Sequence, residues 1–313
     1  MYLHNHSNFK DLIEITSSEM NINASLVEKD YWIMNALHHL SKVFEFQMKG
    51  GTSLSKGFKI IDRFSEDIDI QIKPPENQLT FKVYYGKNHD KDKHIESRKK
   101  YFNWIKNKLK GRVNGIEEVK RDTDFDDSKY RNAGIRLYYK SLFSSLPDIK
   151  EGILLELGFD KTTPNVKKDI SSWIFDKANL KTIKDNRAKE IICYKPEYTF
   201  VEKLDAIIRK YNKYQDSEKI IENFIRHYYD LYCLLDQADI QKFIGTKPYQ
   251  AHKKERLKKL SDTIRNHPAF SLSNPKEKLL FEKEYLRQKS LYYTGQIPFI
   301  KILSRIKKYS EKL

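Results

Sequence analysis

Asp67 and Asp69 lie two residues apart in the run Ser65-Glu66-Asp67-Ile68-Asp69-Ile70-Gln71-Ile72. Alternate side chains of an extended chain share a face, so the two carboxylates project together, opposite Ile68, Ile70 and Ile72. Side-by-side carboxylates repel, and one of them has its pKa raised unless a cation neutralises the pair. A hard divalent ion with oxygen ligands, most simply Mg²⁺, is the natural occupant. Upstream, the strand-like run Phe44 to Lys49 ends at Gly50-Gly51-Thr52-Ser53, and Leu54 to Ile61 reads as a short helix. Glycines let the backbone approach an anion, and the positive end of a helix favours one, so this turn is a candidate phosphate cradle. Alone, each half is ordinary, since Gly-Gly-Thr-Ser is a common turn and Asp-x-Asp a common surface pair. Together they describe a site for a nucleotide and a metal.

Glu156 is a lone acid in the apolar strand Gly152-Ile153-Leu154-Leu155-Glu156-Leu157-Gly158. An ionised carboxylate in such a strand needs a cation, a metal or solvent at the strand's rim. If this strand lies beside Asp67 to Ile72, Glu156 is a third carboxylate for the metal site. Otherwise a salt bridge to a nearby Lys or Arg accounts for it.

These residues must be positioned by the elements around them. Residues 8 to 41 read as helices, with Ser25-Leu26-Val27-Glu28 as a capping box and Tyr31, Ile33, Met34, Leu37 and Leu40 as the apolar face. Asp30 and Trp32 fall off that stripe. Residues 74 to 127 are polar apart from a helix over Ile95 to Leu109, and a further strand runs over Ala133 to Tyr139. After Pro196 the pattern becomes helical. Thr199-Phe200-Val201-Glu202 reads as a capping box, and Val201, Leu204, Ile208 and Tyr211 form a buried stripe from which Lys203 falls away. A second helix is expected over Ser217 to Leu235, where Arg226 and Asp230, four apart, would make an ordinary intrahelical ion pair.

With 313 residues, 39% apolar, the chain can bury a core, and 20 Tyr and 17 Phe are too many aromatics for a disordered chain despite 33% charged residues and a mean hydropathy of −0.73. No apolar run reaches membrane-spanning length and the start does not read as a leader, which sets the expectation of a cytoplasmic protein with no membrane partner. Cys193 and Cys233 show no metal-ligand spacing and read as reduced, buried thiols. The formal charge is +16, and Ala251 to Leu313 holds 16 Lys/Arg against 6 Asp/Glu. That basic stretch, with Tyr285, Tyr292, Tyr293, Phe299 and Tyr309 among its charges, suits RNA, although a Lys-rich helix face is often basic simply to stay soluble.

In order along the chain, the motifs Glu28-Lys29-Asp30-Tyr31, Gly50-Gly51-Thr52-Ser53-Leu54-Ser55-Lys56 and Arg63-x-Ser65-x-Asp67-x-Asp69 are followed by two more. These are Glu202-Lys203-Leu204-x-Ala206-x-x-Arg209, and Arg226-x-x-Tyr229-Asp230-Leu231. The set resembles the AbiEii/AbiGii family of nucleotidyltransferase toxins, within the polymerase-beta-like nucleotidyltransferase superfamily. The middle three motifs are the specific ones. The resemblance implies that Gly51, Thr52 and Ser53 hold the outer phosphates of a nucleoside triphosphate, with Lys56 in reach. It implies that Asp67 and Asp69 bind Mg²⁺, with Glu156 completing the cluster. Lys203 would contact the triphosphate or steady charge during transfer, with Arg209 and Asp230 supporting that pocket.

The expected fold is α+β: a small mixed sheet carrying the metal site and flanked by helices over 1–190, and a basic helical domain over 191–313. The expected reaction is Mg²⁺-dependent transfer of a nucleoside monophosphate from a triphosphate to an acceptor. The resemblance implies the 3′ end of tRNA as acceptor, a toxic role and a cognate antitoxin. Two other readings stay open on the residues alone: a non-catalytic nucleic-acid-binding or regulatory protein on the same fold, and a metal-dependent nuclease, in which a phosphate-binding turn would be superfluous.

Overall fold

The computed structural model describes residues 1–313 except 87, 148, 179–182, 222 and 258–263. The chain divides into two compact units, one of residues 1–57 and 64–194, the other of 58–63 and 195–313.

The first unit opens with α1 (Phe9–Met20) and α2 (Ala24–Leu40). Strand β1 (Phe46–Lys49) then runs into the single helical turn α3 (Gly50–Thr52), continued by a five-residue π-helical turn over Ser53–Gly57. Strand β2 (Asp67–Ile72), helix α4 (Asp92–Leu109), and strands β3 (Ile116–Asp122), β4 (Asn132–Tyr139), β5 (Ile153–Gly158) and β6 (Asn165–Ile170) follow. Helix α5 (Trp173–Lys177) and strand β7 (Ala188–Tyr194) complete the unit. The strands form a mixed sheet in the order β3-β4-β5-β2-β1-β7-β6, with β2 antiparallel to β1 and parallel to β5. Strand β2 is therefore interior, and its alternation decides what the sheet presents. Ile68, Ile70 and Ile72 enter the core, whereas Asp67, Asp69 and Gln71 share the other face.

The second unit is helical: α6 (Pro196–Ser217), α7 (Arg226–Leu235), α8 (Ala238–Phe243), α9 (Lys247–Leu257), α10 (Pro268–Ser271), α11 (Pro275–Arg287) and α12 (Phe299–Ser310). Tyr228, Phe281, Tyr285 and Phe299 pack edge-on or tilted in its core.

Several local expectations are corrected. The cap of α2 is Asn23, whose side chain accepts from the Ser25 amide, and Glu28 turns away to other partners. Helix α6 starts at Pro196, whose fixed φ suits a first helical turn, so Thr199 lies inside the helix and donates to the Lys195 carbonyl. The helix expected over Ser217 to Leu235 begins only at Arg226, and Glu222 lies outside the described residues. The helix expected over Leu54 to Ile61 ends at Gly57. Strands β3, β6 and β7 were not expected. The first two are charged edge strands, whose polar composition discourages further pairing and hides the alternation.

Candidate active site

In the first unit, β2 and β5 bring the acidic residues together and β1 sets a lysine beside them. Asp69 is the register partner of Lys49 on β1 and of Glu156 on β5, so a cation and a carboxylate flank it across the sheet. Glu156 does lie beside β2, and its carboxyl hydrogen-bonds to Asp69. Burial, then the charges of Asp69 and Asp67, push the Glu156 carboxyl well above the usual carboxylate range, with Lys49 opposing. The hydrogen bond to Asp69 acts in the same direction, favouring the neutral form of Glu156. The Lys49 ammonium itself meets Asp160 at 3.0 Å.

Gly50 closes this site from the β1 side. Its φ is +71°, and a Cβ there would stand 1.8 Å from Asp69 Oδ2, so only glycine allows the turn to pass so close to the carboxylate. The Thr52 hydroxyl, buried, donates to the Asp67 carbonyl and locks the turn against β2. Ser53 is also buried, its hydroxyl against the Cys193 thiol. Gly51 is buried in the same turn. Thr52 and Ser53 thus face inward, which leaves the backbone of the turn as the group able to meet an anion.

Behind the turn, α2 is buried on all sides, and the off-stripe residues of its Glu28-Lys29-Asp30 motif are interior. Each holds a different segment. Glu28 accepts from the Leu142 amide and the Ser141 hydroxyl. Lys29 bonds Glu66 at 3.2 Å and the Lys150 carbonyl, next to the first aspartate of β2. Asp30 accepts from the Trp173 amide and pairs with Lys56, whose ammonium also sits 4.0 Å from the Trp173 ring centre. Burial raises the Asp30 carboxyl and Lys56 draws it back. Lys56 is accordingly placed on a buried acid beneath the turn.

In the second unit, Asp230 is fully buried between two cations. Arg63 Nε and Nη2 donate to its two oxygens at 2.6 and 2.8 Å, and Lys203 Nζ is 2.8 Å from Oδ2. Burial works against this carboxylate, but Arg63 and Lys203 more than offset it and hold it well below the usual range. Lys203 also lies 3.3 Å from His227 Nδ1, and burial followed by the Lys203 charge keeps that imidazole neutral. The cluster of Arg63, Lys203, His227 and Asp230 is net positive. The expected Arg226–Asp230 pair does not form: Arg226 Nε donates to Gln288 instead. Arg209 does not join the cluster either, being exposed and paired with Asp205 on its own helix.

The tail aromatics need correction as well. Tyr285, Tyr292 and Phe299 are core residues of the second unit, leaving only Tyr293 and Tyr309 half-exposed, so they do not form a stacking platform. Lys258 and Lys259 of the basic stretch lie outside the described residues. Sequence reasoning missed Gly50, Lys49, His227 and the part played by Arg63. Gly50 and Arg63 stood inside motifs already singled out, but nothing in their spacing revealed their partners.

A mixed sheet with clustered acids beside a glycine turn defines a nucleotidyltransferase-type scaffold. A family model described as "Nucleotidyl transferase AbiEii toxin, Type IV TA system" matches residues 33–304. The chain belongs to this AbiEii family of nucleotidyltransferase toxins of type IV toxin–antitoxin systems, and it is a nucleotidyltransferase. Comparison with curated proteins and with solved structures finds no match. No helix among the described residues is long and apolar enough to cross a membrane.

Proposed function

We propose that the protein transfers a nucleoside monophosphate from a nucleoside triphosphate to an RNA acceptor, the 3′ end of a tRNA, and that Asp67, Asp69 and Glu156 hold Mg²⁺ for this reaction. The observation that carries the reading is the register pairing of Asp69 with Glu156 beside the Gly50 turn. Among the described residues, no three acidic, histidine or cysteine side chains converge as metal ligands, and Glu156 is hydrogen-bonded to Asp69. The donor set nevertheless fits a hard divalent cation: all its donors are carboxylate oxygens, and the repulsion that raises the Glu156 carboxyl is what a cation relieves. Bound there, Mg²⁺ would neutralise charge on the attacking and leaving oxygens.

The chain's own groups account for the remainder. The acceptor hydroxyl oxygen forms a bond to the α-phosphorus, the bond from that phosphorus to the bridging oxygen of pyrophosphate breaks, and the hydroxyl proton passes to the carboxylate cluster. The backbone of the Gly50–Ser53 turn meets the phosphates, and the net positive Lys203 cluster is the second unit's group for triphosphate charge. The basic composition supports a polyanionic acceptor, and family membership supports a cognate antitoxin.

The test is incubation of the purified protein with Mg²⁺, each α-³²P-labelled nucleoside triphosphate in turn and total bacterial RNA, read on a denaturing gel. Label is expected in a tRNA-sized band and absent for Asp67→Asn/Asp69→Asn. Full labelling by that double variant would overturn the assignment, and label in protein rather than RNA would reassign the acceptor.

A further inference from the structure

Beyond the carboxylates, the same sheet leads to a second recognition feature. A cavity of about 540 Å³ opens at the far end of β1 and β2, lined among others by Phe44, Phe46, Gln47, Gln71, Lys73 and Pro74. Gln71 follows Asp69 on the same face of β2, so the cavity begins one residue pair, about 7 Å, along the strand from the acidic cluster. Its neighbour on β5 is Gly158, which contributes no side chain to that face.

Gln71 is 6% exposed, and what remains open of it lines the cavity. Its amide, held in place on an interior strand and open to the cavity, can donate to and accept from a ligand seated there. Its cross-strand partner Gln47 accepts a hydrogen bond from the Thr162 hydroxyl, which leaves the Gln47 amide nitrogen to donate. Phe44, Phe46 and Pro74 add apolar walls, and Lys73 is exposed at the rim.

We propose that this cavity receives a nucleobase and that Gln71, with Gln47, reads its hydrogen-bonding edge. A glutamine amide offers a donor and an acceptor side by side, the pattern that pairs bidentately with a base edge, and apolar walls accept the base's faces. The inference rests on the nucleotidyltransfer reading and deepens it, because the base can belong to either of two nucleotides: the incoming triphosphate or the 3′-terminal residue of the acceptor. Gln71 is then a specificity-determining residue rather than a catalytic one.

Equilibrium binding of the four nucleoside triphosphates, and of short single-stranded RNAs differing only in the 3′ base, measures the preference of the natural protein. Gln71→Leu and Gln71→Glu are compared with it after thermal melting has confirmed that each is folded. Gln71→Leu is expected to reduce the preference between bases about tenfold, and Gln71→Glu to change which base is preferred. An effect confined to the triphosphates assigns the cavity to the donor, and one confined to the RNAs assigns it to the acceptor. Unchanged preference in both folded variants, or equal binding of all bases by the natural protein, overturns the proposal. Label transfer by the natural protein and its loss in Asp67→Asn/Asp69→Asn are read separately, so failure at Gln71 stays distinguishable from failure of the transfer reading.

Discussion

Asp230 shows how far one side chain's surroundings can reverse what its sequence neighbours suggest. Its partner is Arg63, 167 positions away, in bidentate contact, with Lys203 as a second cation. Arg63→Met should destabilise the second unit by about 3 kcal/mol, because a buried carboxylate loses its principal partner, and urea denaturation should show it. Lys203→Met should cost less in stability, since the bidentate pair remains, and more in label transfer. The Asp230 contribution is present above the ordinary aspartate range near pH 4 and is lost as pH falls through and below it, because the folded pKa is the depressed one. At Gly50 the constraint is steric. Gly50→Ala must either abandon φ +71° or displace Asp69, so transfer should fall on the order of 10²-fold while the protein still melts cooperatively.

At the scale of elements, α2 does more than cover the sheet. Successive residues of one helical turn hold the 141–142 segment through Glu28, Glu66 through Lys29, and both Lys56 and the start of α5 through Asp30. A fully buried helix can keep these polar side chains only because each has a partner. Asp30→Ala would remove the carboxylate that Lys56 and the Trp173 amide both meet and should cost about 3 kcal/mol. Asp30→Asn, which can still accept from Trp173, should cost less. Chemical denaturation of the two variants side by side checks the order, and equal losses would remove the role assigned to the Trp173 contact.

Charge and protonation act at the scale of the whole molecule. With a formal charge of +16, the proposed RNA acceptor should bind with an affinity that falls as salt rises, the logarithmic slope being about −0.7 per phosphate contacted by a single strand. A flat salt profile would remove the electrostatic argument for RNA. Stability should also fall in mild acid. Burial, then His38, Lys42 and His4, lower the His39 pKa to about 4, against a hydrogen bond to the Asn35 carbonyl. The unfolded chain therefore binds the proton more readily, and the His39 contribution, complete above pH 6.5, is lost as pH falls from 6.5 towards 4. Allowing for solvent screening, the loss is on the order of 1 to 2 kcal/mol, and His39→Phe should flatten the decline.

Local chemistry in the sequence determined the class of fold, the acidic strand, the glycine turn and the family. Period-two alternation puts Asp67 and Asp69 on one face wherever β2 lies, and a Gly-Gly turn ahead of it is legible without knowing any neighbour. The edge strands β3 and β6 were hidden because their charged residues break the alternation that identifies a half-buried strand. The caps of α2 and α6 were misplaced by a few residues because several polar residues near a helix start are chemically eligible, and packing chooses among them. Partnerships between residues distant in the chain were decided only by tertiary structure. It set Glu156 against Asp69, turned Lys56 onto Asp30, replaced Arg226 by Arg63 at Asp230, and buried Tyr285 and Tyr292 in a core. The physical reason is that an ionised side chain takes whichever counter-charge the fold brings within a few ångströms, and spacing along the sequence does not encode that distance.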